Sequence, residues 1–163
     1  MTQDSYKSQI KELYFGEIYG ESLFSKMAER QQDNSQTRQI WKMICQVEKL
    51  TGQLLRPVAR NLGIDTEGLV DVQIERATKM FDEFSELNEL EIANYYRPKV
   101  PANLERLKQL ECMAPIGDRI VLGKVVRHSE LFLQCMDAII EGSQSEVAKL
   151  LDEYLRDVKA DLV

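Results

Sequence analysis

The sequence predicts an all-α protein, and three observations predict it. Apolar residues recur every three to four positions along nearly every segment, the period of a helix with one buried face. Helix breakers are scarce, with 4 Pro and 8 Gly in 163 residues. No stretch alternates apolar with polar residues or gathers the β-branched side chains that strands favour. The length suits one domain over 1–163 with a real hydrophobic core.

The helices follow in order. The first spans about Tyr6 to Arg30, and the polar stretch Gln31-Gln32-Asp33-Asn34-Ser35 breaks it. The second starts near Ser35 and runs to about Asn61, with Gly63 as a left-handed cap. Pro57 falls inside it and should kink or break its last turns, because proline lacks the N–H and crowds the preceding turn. A third helix begins after Asp65-Thr66, either of which serves as cap, and continues to about Tyr96, where Arg97-Pro98 stops it. Lys99-Val100-Pro101-Ala102 reads as a linker, followed by a shorter helix to about Met113 that Pro115 and Gly117 close. Asp118 caps a fifth helix to about Glu141, Gly142 ends it, and Ser143 opens a last amphipathic helix to about Leu162. Four long helices and two short ones suggest a bundle.

Composition excludes several functions. The net charge of −6, with Lys and Arg scattered, argues against nucleic acid or an anionic membrane as partner. No apolar run approaches the roughly 20 residues of a membrane span. The first residues, MTQDSYKSQIKEL, hold no apolar leader, so a cytoplasmic location is expected. Cys45, Cys112 and Cys135 are too few for a disulfide framework and read as buried free thiols. There is no phosphate-binding glycine loop, CxxC, HExxH or nucleophile elbow.

The informative residues are polar ones on core faces. In the first helix one stripe runs Ile10, Leu13, Tyr14, Glu17, Glu21, Phe24, Ala28. Carboxylates are almost never buried unless paired or bound to metal, so Glu17 and Glu21 ask for a partner. The second helix places Glu48 and Thr51 inside its apolar arc. The fifth places His128, the single histidine, on its apolar side. The third adds Glu91, with Asn88 beside it, to the stripe Ala77, Phe81, Phe84, Tyr95. Each also has a plainer reading: Glu17 or Glu21 paired with a neighbouring Lys or Arg, Glu48 with Lys49 or Arg56, and His128 hydrogen-bonded in the core.

The segments GEIYGESLFSKMAER, QVEKLTGQLLRP and VVRHSELFLQCMDAIIEG resemble the ferritin-like superfamily, the rubrerythrin-like and di-iron carboxylate bundles. The resemblance implies an up-down four-helix bundle with one or two added short helices. It also implies iron or manganese held by inward carboxylates and histidines, redox chemistry with oxygen or peroxide, and pairing of two chains through a helix face. By resemblance Glu17 or Glu21 takes the first-helix ligand position and Glu48 the second-helix one. His128 completes a ligand set of Glu17, Glu21, Glu48 and His128, with Thr51 behind it. The chain departs from the pattern where Glu48-Lys49-Leu50-Thr51 carries threonine in place of the family's histidine. With one histidine the site is an altered or a lost one. The alternative is a non-enzymatic helical module that binds a protein partner or an apolar small molecule.

Overall fold

The computed structural model describes residues 2–30 and 36–162. Among them are seven α-helices and no strand: α1 (Gln3–Arg30), α2 (Gln36–Asn61), α3 (Val70–Glu83), α4 (Glu89–Tyr96), α5 (Val100–Met113), α6 (Arg119–Glu141) and α7 (Gln144–Asp161). A 3-10 turn, Arg97–Lys99, joins α4 to α5. No helix is long and apolar enough to cross a membrane. The expected break at Gln31-Gln32-Asp33-Asn34-Ser35 lies outside the described residues.

Side-chain pairs fix the helix directions. Arg38 Nε donates to the Ala28 carbonyl at 3.2 Å and Trp41 stacks on Phe24, so α2 returns antiparallel to α1. Tyr6 meets Asp118, Glu17 meets His128 and Phe24 meets Phe132, so α6 runs parallel to α1. The Tyr154 hydroxyl donates to the Lys124 carbonyl at 3.0 Å, and the Lys124 ammonium pairs with Asp157 and Asp161, which docks α7 antiparallel on α6. α7 also packs on α2, α3 on α1, and α4 and α5 on α6.

Apolar burial falls into two clusters stacked along these helices. One holds Leu23, Phe24 and Met27 of α1, Ile40, Trp41 and Ile44 of α2, Leu131, Cys135 and Met136 of α6, and the buried face of α7. The other holds Tyr6, Ile10 and Leu13 of α1, Leu55 and Val58 of α2, Leu107 and Leu110 of α5, and Leu122 and Val125 of α6. Glu17, Glu48, Thr51, His128 and Ser129 are the buried polar residues at the level between them.

Several local expectations change. The third helix is two helices, because the chain turns at 84–88 and restarts with a capping box. In it the Asn88 side chain accepts from Glu91 N at 3.0 Å while the Glu91 carboxylate accepts from Asn88 N at 2.8 Å. Glu91 is therefore an exposed capping residue and not part of a core stripe. Asp65 caps a turn ahead of α3, accepting from Glu67 N and Gly68 N at 3.0 and 3.1 Å, while α3 itself starts at Val70. The expected linker Lys99-Val100-Pro101-Ala102 is helical, since Pro98 and Pro101 occupy first-turn positions where the missing N–H costs nothing. α2 continues through Pro57 to Asn61 without a break. Asp118 sits at the start of α6 but spends its carboxylate on the Tyr6 hydroxyl at 2.8 Å, with no cap bond. Gly63 and Gly142 do adopt left-handed φ, 65° and 75°, and end α2 and α6 as expected.

Candidate metal centre

Three helices deliver one polar residue each to the same point. Glu17 of α1, Glu48 of α2 and His128 of α6 are buried, and each offers a ligand atom within 4.8 Å of the other two. His128 lies between the carboxylates, Nδ1 at 3.3 Å from Glu17 Oε2 and Nε2 at 3.3 Å from Glu48 Oε1. Glu17 Oε2 is buried and meets His128 Nδ1 as a charge contact without full hydrogen-bond geometry. A buried carboxyl oxygen held by a charge contact alone can take a further ligand.

Two glycines make the approach possible. A Cβ on Gly20 would overlap the Glu48 carboxylate, so α1 leaves a notch that receives the α2 side chain. In return Gly52 of α2 faces the Glu17 stem, where a Cβ would stand 3.3 Å from Glu17 Cβ. Glycine inside a helix costs roughly 0.5–1 kcal/mol against alanine, and at Gly20 and Gly52 the close approach of α1 and α2 is the packing reason for it.

The surroundings hold protons in the site. Burial pushes the Glu17 carboxyl up to about 8, with the neighbouring Glu48 adding to the rise and His128 opposing it. For His128 burial alone would lower the value, but the Glu17 and Glu48 carboxylates outweigh it and hold the imidazole protonated well above its ordinary range. Thr51 backs the centre. Tyr154 gives its one O–H to the Lys124 carbonyl, so Thr51 Oγ1, 3.2 Å away, is the donor to the Tyr154 oxygen. The Tyr154 ring stands 6.5 Å from the His128 ring. Burial raises the Tyr154 phenol, which stays neutral.

Glu21 does not join the centre. One turn past Glu17, it is half-exposed at the bundle edge and pairs with Lys49 at 3.7 Å. The helix advances about 100° per residue, so a residue four positions on is rotated about 40° off the inward direction. The cysteines are free. Cys135 is buried and its thiol pushed up to about 12 by burial, and Cys45 is pushed up to about 11 by the same cause. Cys112 is exposed, against expectation, because it falls on the outer face of α5.

A cavity of about 670 Å³ opens between α1 and α6 and reaches Glu17, Glu48 and His128. Its walls include the rings of Tyr19, Phe24, Tyr96 and Phe132. Exposed Lys11, Glu12 and Arg76 stand at its mouth. The roles of Gly20, Gly52, Tyr96, Arg76 and Tyr154 are not read from helical phase. The mid-helix glycines were the one available signal.

Comparison of the chain with known protein families, curated proteins and solved structures finds no match.

Proposed function

We propose that Glu17, Glu48 and His128 bind one divalent transition-metal ion at the floor of the cavity, and that the fold is a ferritin-like up-down bundle of α1, α2, α6 and α7 carrying this altered carboxylate site. The convergence of three buried ligand atoms from three helices, all within 4.8 Å of one another, is the observation that carries the reading. The donor set agrees with it, since two carboxylates and one imidazole suit iron or manganese. The imidazole faces one carboxyl group with each nitrogen, which fixes the orientation of its ring. Iron or manganese held there would supply redox chemistry with oxygen or peroxide. The protein's own part is to bury the carboxyl groups, to fix the imidazole between them, and to leave a cavity through which a small molecule reaches them.

Elemental analysis of protein purified without chelator tests this. About one iron or manganese per chain, lost in Glu48→Gln, is expected. A chain that carries no metal, and whose melting temperature does not respond to added manganese or iron, overturns the reading.

A second reading has its own support. Each ring nitrogen already has a carboxylate at 3.3 Å, so the triad is electrostatically balanced without metal. The chain would then be a non-enzymatic module whose cavity takes a small molecule. Exposed Met113, Ile116 and Ile120 around the α5–α6 turn would support a protein partner or a second copy.

A further inference from the structure

The cavity is chemically two-ended. Its inner part carries Glu17, Glu48 and His128, a cluster that pairs its own charges and offers an incoming anion no unpaired cation. On one side of the polar layer the cavity is apolar, with Phe24 and Phe132 packed 5.5 Å apart between ring centroids and Tyr96 against Phe132 at 5.6 Å. Its mouth is basic: Lys11, Arg76 and Arg106 line it with one acid, Glu12, which pairs with Arg106 at 3.6 Å. In a chain of net charge −6 that is a local reversal of sign.

Arg76 is built into this mouth. Gln73, a buried amide only 6% exposed, accepts from Arg76 Nη1 at 2.9 Å, and the guanidinium lies over the Tyr19 ring at 5.6 Å. Arg76 makes no ion pair among the described residues, so a planar fork of donors is held in place with no carboxylate on it. Deeper in, the buried Tyr96 hydroxyl lines the same cavity beside Tyr19. The volume is in the range of about 300–1,000 Å³ that holds a small organic ligand.

We infer that the cavity binds an amphipathic monocarboxylic acid, its carboxylate on Arg76 at the mouth and its apolar body among Phe24, Tyr96 and Phe132, with the far end directed at Glu17, Glu48 and His128. The cavity favours that orientation because Arg76 is a cation without an ion pair among the described residues, whereas the His128 imidazole already faces a carboxyl group at each nitrogen. Charge-assisted Arg–carboxylate bonds fix the head, and apolar burial supplies the affinity. The inference names a ligand class for the proposed centre, yet it needs no metal for binding.

Calorimetric titration of octanoate and of octanol, its neutral counterpart, tests it on the full chain in chelator-stripped and manganese-treated forms. Octanoate is expected to bind both forms and to bind more tightly than octanol. Arg76→Gln, on an exposed position of α3, should weaken octanoate about tenfold and leave octanol unchanged, and added salt should act likewise. The inference is overturned if neither form binds octanoate, if octanol binds as tightly, or if Arg76→Gln leaves octanoate unaffected. It is equally overturned if octanoate binds only the manganese form, which would put the acid head on the ion. Octanoate bound at Arg76 in a chain that takes up no manganese would sink the metal reading and leave this one standing.

Discussion

Gly20 and Gly16 are one helical turn apart on α1 and make opposite predictions. A methyl at Gly20 overlaps the Glu48 carboxylate, whereas a methyl at Gly16 meets nothing within 4 Å. Gly20→Ala should therefore lose metal uptake and cost about 1–3 kcal/mol through overpacking. Gly16→Ala should keep uptake and gain roughly 0.5–1 kcal/mol from helix propensity. Urea unfolding with elemental analysis reads both. Equal effects at the two positions would mean that the notch does not position Glu48.

The protons in the centre give stability a sign with pH. Glu17 keeps its proton up to about 8 in the fold against 4.5 ordinarily, so across that window the folded chain binds more protons than the unfolded one. Stability then falls as pH rises. His128 acts in the same sense: its contribution is full below its ordinary 6.5 and is lost as pH climbs through the higher folded value. The metal-free chain should melt at progressively lower temperature from about pH 5 to above pH 8. Manganese must displace those protons, so its stabilising shift should grow over the same window. Melting curves in a pH series, with and without manganese, read both slopes. A metal-free Tm that rises steadily through that range would contradict the burial of protonated Glu17.

Among the elements, the α3–α4 turn shows how short-range chemistry outvotes periodicity. Arg30, at the end of α1, donates to the Phe84 carbonyl at 2.7 Å and the Leu87 carbonyl at 3.3 Å and pairs with Glu89 at 3.4 Å. The helix has stopped there, and the Phe84 carbonyl accepts from Leu87 N at 3.1 Å as well as from Arg30. Asn88→Ala should cost about 1 kcal/mol by removing the cap. Arg30→Gln should speed amide hydrogen exchange at 84–88 ahead of the rest of the chain. Unchanged exchange there would show that the capping box alone holds the turn.

The same contrast sets how much was legible. Periodicity finds the long helices and puts Glu17, Glu48 and His128 inward, because each lies on a strongly apolar face whose phase is unambiguous. It also puts Glu21 and Glu91 inward, for two different reasons. Glu21 is within the angular error of the stripe, and only the width of the bundle decides that it reaches water. Glu91 is misplaced because periodicity carries the third helix straight through 84–88; the Asn88-x-x-Glu91 spacing, a capping signature, marks the restart instead. The cavity, its basic mouth and the Gly20 notch depend on helix separation, which no single-helix pattern encodes.

At the scale of the whole molecule, the polar layer interrupts a core that would otherwise be continuous from Tyr6 to Met27 on α1. Removing one partner from a buried charged set costs about 3–5 kcal/mol, whereas replacing the set by apolar residues of like volume is often neutral or stabilising. His128→Ala should therefore destabilise strongly. The triple variant Glu17→Met, Glu48→Met, His128→Leu should be at least as stable as the parent while taking up no metal. Thermal unfolding of the two variants separates the possibilities, and a triple variant weaker than His128→Ala would show that the layer holds the fold together.

The chain has a single tryptophan, and Trp41 is fully buried in one of the two clusters, stacked on Phe24 at 5.6 Å, with its indole N–H on Glu89. The other cluster is without one but has Tyr6 and Tyr14. Indole emission thus watches one half of the molecule, and the far-ultraviolet dichroism of the helices watches both. Superimposed denaturation curves from the two signals would mean that α1, α2 and α6, which run through both halves, carry cooperativity across the polar layer.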